Sequence, residues 1–165
     1  MNEDTQKTMF SSASSEWETP QYFYDRLNDI YQFDLDPCCT SESAKCEKYF
    51  TLNENGLEQD WSGRRVFMNP PYGRQISKWI KKAHDEGEKR DTTVVCLIPS
   101  RTDTKYWHEY CMKADEIYFI KGRLKFQMKD NNNAAPFPSV VVVFRGPPVL
   151  GMARHLVRVS AMESS

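Results

Sequence analysis

The stretch Arg65-Val66-Phe67-Met68-Asn69-Pro70-Pro71-Tyr72-Gly73 runs from apolar residues straight into a proline pair. Val66, Phe67 and Met68 suit a strand. Proline has no N–H to give to a ladder, so two in a row end it and leave Asn69 at the strand's C-terminal tip. Downstream, Ile76, Trp79, Ile80 and Ala83 recur at helical spacing, which makes the unit strand–turn–helix. Further along, Thr93 to Ile98 is a continuous apolar strand ending at Pro99. Tyr106, Trp107, Tyr110, Cys111 and Ala114 mark a helix, and Ile117–Ile120 and Ser139–Phe144 are two more strands. Upstream, Thr19-Pro20 reads as a helix start, with Thr19 as cap and Pro20 in first position. Phe23, Leu27, Ile30 and Tyr31 continue that helix. Phe33 to Pro37 is a short strand stopped by proline. Residues 41–50 are expected to form a short helix, and Asn55-Gly56 marks a turn in a loop from Asn53 to Gly63.

Strands alternating with helical stripes predict an α/β fold with a mainly parallel sheet covered on both faces. No helix separates the last two strands, so they are expected to pair antiparallel. Polar residues 1–15, including Ser11-Ser12-Ala13-Ser14-Ser15, are expected to be a mobile arm. Residues 16–145 form the expected single domain. From Gly146, a tail with Pro147-Pro148 either docks on the sheet or stays loose.

The 165 residues carry a net charge of −1, which hides an asymmetry. Met1 to Asp60 hold 13 acids and 4 bases, and the remainder 10 acids and 18 bases. Such a chain suits two partners of different charge. Five cysteines with no CxxC pair argue against a disulfide framework and against a CxxC-type metal site. They favour a reducing compartment, the cytoplasm. The N-terminus lacks the order of a secretory signal, and no apolar run reaches the roughly 18 residues of a membrane span.

The tip motif has chemistry of its own. The Asn69 carboxamide oxygen and the Pro70 carbonyl are two acceptors, and Pro71 adds no donor. Together they can grip both N–H groups of a planar amine, while Tyr72 offers a face on which a flat base can stack. In doubly wound sheets ligands sit beyond the C-terminal strand ends, which is where this motif lies. The acceptor pattern alone leaves open an adenine in DNA, an adenine in RNA or a protein glutamine amide.

With those residues in view, the sequence resembles the phage-type DNA N6-adenine methyltransferase (Dam) family. The matching segments are Glu16-Trp17-Glu18-Thr19-Pro20, Phe33 to Cys38, Gly56-Leu57 with Asp60-Trp61, Phe67 to Tyr72, Leu97-Ile98-Pro99 with Arg101, Lys121 to Phe126, and Pro136 to Ser139. The resemblance implies a Rossmann-like methyltransferase with a doubly wound, mainly parallel sheet and an antiparallel C-terminal strand pair. It implies S-adenosylmethionine as methyl donor, adenine N6 in double-stranded DNA as acceptor, and a target base turned out of the duplex. Asn69, Pro70, Pro71 and Tyr72 would be catalytic. Trp17, Thr19, Pro20, Asp36, Pro37, Cys38 and Asp60 would bind the donor. There is no glycine-rich loop after the first strand, so donor binding would rest on the Asp-Pro-Cys turn.

Lys121-Gly122-Arg123-Leu124-Lys125-Phe126 alternates basic and other residues. In a strand the three cations share one face, which suits phosphate. Lys121, Arg123, Lys125, Phe126 and Arg101 are therefore expected to contact DNA, with Lys129 and the tip Asp130 to Asn133 extending the surface. A chain this small leaves room for a second subunit in a homodimer. A module that binds nucleic acid without catalysis is the remaining alternative, and the intact tip motif weighs against it.

Overall fold

The computed structural model describes residues 17–126, 134–147 and 158–165. The expected N-terminal arm and the expected tip at Lys129 and 130–133 lie outside the described residues. Helix α1 spans Gln21–Tyr31, α2 Ile76–Gly87 and the short α3 Lys105–Glu109. The strands are β1 (Arg65–Met68), β2 (Thr93–Pro99), β3 (Glu116–Lys121), β4 (Ser139–Arg145) and β5 (Arg158–Glu163).

The five strands form one sheet in the order β1-β2-β4-β3-β5. β1 pairs parallel with β2, and β3 pairs parallel with β5. β4 pairs antiparallel with both β2 and β3. Four strands therefore share one direction and β4 opposes them. The antiparallel pairing of 116–121 with 139–145 is the one expected, but β4 inserts between β2 and β3 rather than extending the sheet. Its composition gives the reason: Val140 to Val143 are buried without a break, so both faces of this strand need cover, which a central position supplies. Residues 158–163 of the C-terminal tail add the edge strand beside β3.

Two hydrophobic clusters lie on opposite faces of the sheet. Phe23, Tyr24, Leu27 and Tyr31 of α1 pack with Phe67, Val95, Leu97, Val141 and Val143. Ile76, Trp79, Ile80 and Ala83 of α2, with Tyr106 and Trp107 of α3, pack with Val66, Met68, Cys96, Ile98 and Val142. Alternation along each strand sends its residues to the two faces in turn. Among the described residues, no helix is long and apolar enough to cross a membrane.

Three local expectations change. The strand at 33–37 shrinks to isolated parallel bridges, Leu35 with Val66 and Asp36 with Tyr49. Residues 41–50 form turns and bends, not a helix. The backbone there bonds to the Asp36 turn instead of to itself: the Lys45 N–H donates to Asp36 Oδ2, the Asp36 N–H to the Lys48 carbonyl and the Phe50 N–H to the Asp36 carbonyl. Lastly, α1 begins at Gln21 with Pro20 as its N-cap and no side-chain cap. Thr19 does not cap the helix because its hydroxyl is engaged elsewhere.

Candidate active site

Asn69 follows β1 directly, at the end of the sheet toward which β1, β2 and β3 run. Pro70 and Pro71 are buried, and their fixed φ makes the turn stiff. The Asn69 Nδ2 group donates to the Trp17 carbonyl at 2.7 Å and to Thr19 Oγ1 at 3.0 Å. Its Oδ1 accepts from the Tyr72 hydroxyl at 2.6 Å. That hydroxyl also lies 3.2 Å from the Leu97 carbonyl. Burial pushes the Tyr72 phenol well above its ordinary pKa, so it stays a neutral donor. The Pro70 carbonyl accepts no hydrogen bond among the described residues.

Tyr72 belongs to an aromatic group. Its ring meets Phe137 edge to face at 5.5 Å and Phe126 at 6.3 Å. Trp17 meets the same two rings at 5.1 and 5.7 Å. Edge-to-face contacts of this kind hold rings in fixed planes.

On one side of Asn69 lies a small pocket of about 20 Å³, lined by Glu18, Thr19, Asp36, Cys38, Lys45 and Asn69 among others. Asp36 is its buried anion. Its Oδ1 accepts from the Cys38 N–H at 3.3 Å and its Oδ2 from the Lys45 N–H at 3.0 Å. Burial lifts its pKa to about 6, while those backbone donors and the Lys45 charge hold the rise down. Two bonds leave lone pairs over for a ligand. Cys38 donates its thiol to the Asn69 carbonyl at 3.4 Å, tying the Asp-Pro-Cys turn to the tip motif. Gly56 packs against the same turn: a Cβ there would lie 2.0 Å from the Pro37 carbonyl oxygen. Lys45 Nζ lies 3.4 Å from Glu18 Oε1 and donates to Gln21 Oε1 at 3.1 Å.

On the other side is a wider cleft of about 300 Å³, lined by Tyr72, Gly73, Ile76, Pro99, Arg101, Thr104, Tyr106 and Phe137. That volume falls at the lower end of small-ligand sites. The tip motif is the wall between the two spaces, with Asn69 facing the acidic pocket and Tyr72 the cleft.

The sequence-derived residues distribute unevenly. Trp17, Thr19, Asp36, Cys38, Asn69 and Tyr72 converge, with Pro20 and Pro37 flanking them. Arg101 lines the cleft. Asp60 does not join them: it is exposed, accepts from the Ser62 hydroxyl and pairs with Lys89 at 3.0 Å. In the basic stretch only Lys121 is in a strand, and it pairs with Glu163 at 3.4 Å. Arg123 and Lys125 are exposed, as the alternation requires, and Leu124 and Phe126 are buried. Phe126 faces the aromatic group instead of solvent. Lys45 and Phe137 line the two spaces yet carried no role in the sequence reading, because neither spacing nor composition marks them. His84 lies against Tyr110 and Phe144, and His108 bonds the Thr102 carbonyl, both away from the motif. Among the described residues no group of side chains could hold a metal ion.

A single mixed sheet with four strands aligned, carrying the Asn-Pro-Pro-Tyr motif at their tip, is consistent with a Rossmann-like methyltransferase. Comparison with known proteins narrows this class. The model of the DNA N-6-adenine-methyltransferase (Dam) family matches residues 6–156, and the chain belongs to that family. It is 30% identical over 138 residues to the DNA N-6-adenine-methyltransferase of Haemophilus phage HP1 (strain HP1c1), covering 78% of this chain and 77% of that protein. The DNA N-6-adenine-methyltransferase of Escherichia phage T1 is 30% identical over 120 residues, 72% of this chain and 50% of that one. The putative methyltransferase YfdM of Escherichia coli (strain K12) is 36% identical over 67 residues, 36% of this chain and 74% of that one.

Proposed function

We propose that this chain transfers a methyl group from S-adenosylmethionine to N6 of an adenine turned out of double-stranded DNA. The observation that carries the reading is the position of Asn69: it lines the acidic pocket, and through Tyr72 it also borders the cleft. A residue placed between two such spaces can hold an amine against a methyl donor. With helices on both faces, the sheet reads as doubly wound, for which this end is the expected ligand site.

The donor site's chemistry fits the cofactor. Asp36 offers carboxylate oxygens to amino or hydroxyl groups, and Lys45 offers a cation to a carboxylate. A space of about 20 Å³ takes little more than a water, so the pocket has to widen before a nucleoside is admitted. S-adenosylmethionine supplies an electrophilic methyl group on a sulfonium.

The chain's own residues do the rest. Asn69 Oδ1 and the Pro70 carbonyl accept the two N–H groups of the adenine amine, and Tyr72 stacks on the ring. Before the base arrives, the Tyr72 hydroxyl occupies Oδ1, so that acceptor is satisfied in both states. As the N–C bond forms, the methyl–sulfur bond of the donor would break to leave a neutral thioether, and the positive charge would pass to nitrogen. The two fixed acceptors stabilise it without reorganising, and the nitrogen then releases a proton to water. Positioning supplies most of the acceleration, and no histidine is needed nearby.

The test is Asn69→Ala, assayed by transfer of a labelled methyl group to duplex DNA. Loss of both grip and orientation is expected to lower turnover by more than about 100-fold, some 2.7 kcal/mol. Donor affinity by calorimetry is expected to stay within about threefold. Turnover within about tenfold of wild type would remove Asn69 from the reaction and this reading with it.

A further inference from the structure

We infer that Thr19 is a positioning residue whose hydroxyl, with the Trp17 carbonyl, locks the Asn69 carboxamide so that its oxygen and not its nitrogen faces the amine. This rests on the proposed function and adds a role to a residue expected only to touch the donor. A carboxamide presents oxygen and nitrogen at nearly equal volume. Turned by 180°, Asn69 would offer a donor to an amine that is itself a donor, and the grip would fail. The Trp17 carbonyl forbids that turn, and the Thr19 hydroxyl, which could donate or accept, anchors the amide in the orientation so chosen. The Trp17 carbonyl, 2.7 Å from Nδ2, can only accept, so a turned amide would set oxygen against oxygen. Thr19 Oγ1, 3.0 Å from Nδ2, takes the second N–H. Both amide hydrogens are then used and Oδ1 is left for the reacting side, where the Tyr72 hydroxyl finds it.

The placement of Thr19 supports the same role. It is 2% exposed, so water does not compete for its hydroxyl. It sits just before α1 yet leaves that helix without a side-chain cap. The bond it makes instead joins residues 50 positions apart in the chain. Trp17 is held from its other end by Phe126 and Phe137, which keeps its carbonyl in place. The segment from Trp17 to Thr19 is thus a brace for the catalytic amide as well as a wall of the donor pocket.

Thr19→Val keeps the shape and removes the hydroxyl, and Thr19→Ser keeps the hydroxyl and removes the methyl. Thr19→Val is expected to lower kcat by about 5- to 50-fold, with donor affinity within about twofold and KM for DNA little changed. Thr19→Ser is expected to recover kcat to within about threefold. Wild-type kcat in Thr19→Val would overturn the inference. So would a valine variant that loses donor affinity at unchanged kcat, and so would a serine variant as impaired as the valine one. Should Thr19→Val not fold, the wild-type protein gives its own answer: the Asn69 side-chain amide protons, observed by NMR, are expected to be protected from solvent exchange. Rapid exchange of both would contradict the brace. An inactive Asn69→Ala beside a fully active Thr19→Val overturns the brace alone, whereas an active Asn69→Ala overturns the proposed function.

Discussion

Asn69 and Asp36 show how far single residues could be read from the chain. The position of Asn69 was legible because two prolines must end a strand, and the structure places it directly after Met68. Its partners were not legible: Thr19 and Trp17 come from a distant segment, and no local spacing announces a bond across 50 residues. Asp36 was legible as a carboxylate at a strand end, but its backbone bridge to Tyr49 and the bond from the Lys45 N–H to its carboxylate lie in a segment read as helix. The burial of Asp36 has a pH consequence. The folded pKa of about 6 lies above the ordinary carboxylate value, so the folded protein binds more protons than the unfolded chain between about pH 4 and 6. Asp36 therefore contributes less stability as pH rises through that window and does not recover it above. Binding of positively charged donor groups needs the ionised form. Donor affinity measured by calorimetry is expected to be flat above about pH 7 and to fall by up to about tenfold per unit below pH 6. An affinity unchanged down to pH 5 would show that Asp36 takes no part.

At the scale of elements, the turn after Asp36 depends on a neighbour that the sequence marked only as a turn. Gly56 packs so closely on Pro37 that no side chain fits, and its carbonyl accepts from the buried Trp61 indole at 3.0 Å. Gly56→Ala is expected to push the Asp-Pro-Cys turn away and cost about 2 kcal/mol or more. A fall in denaturation midpoint together with weaker donor binding would be the signature; an unchanged midpoint would mean the loop yields freely. The helices α1 and α2 were legible from hydrophobic period, and the strands β2, β3 and β4 as short apolar, β-branched runs. The central place of β4 was implicit in its uninterrupted valines, though order within a sheet is a tertiary property. The stretch 41–50 was misread because its backbone bonds to Asp36 and Cys39, and a count of apolar residues does not register such bonds.

Across the whole molecule, the cations sort by whether a carboxylate holds them. Lys81, Lys82 and Lys89 around α2 pair with Asp85, Glu86 and Asp60. Arg74, Arg101, Arg123 and Lys125, like Lys48, Lys78, Arg90 and Lys113, are exposed and enter no ion pair among the described residues. Arg74 and Arg101 flank the tip motif, and Arg123 and Lys125 follow the end of β3. The unequal charge of the two chain halves was legible in the sequence, while which basic residues stand beside the tip motif needed the fold. Free cations at the reacting end suit phosphates, and each phosphate contact adds to the salt dependence of binding. Arg123→Ala and Lys125→Ala are each expected to weaken duplex binding and to reduce the slope of log affinity against log salt by nearly one. An unaltered slope in both would take that stretch out of the DNA surface.

The central claim is that the acceptor pair at the β1 tip delivers adenine N6 to a methyl donor. It is tested most directly by incubating the protein with S-adenosylmethionine and either duplex DNA or RNA of the same sequence, then identifying the methylated nucleosides by mass spectrometry. The account predicts N6-methyladenine in the DNA and little or none in the RNA. Methylation of another atom, or of the RNA in preference to the DNA, would contradict it.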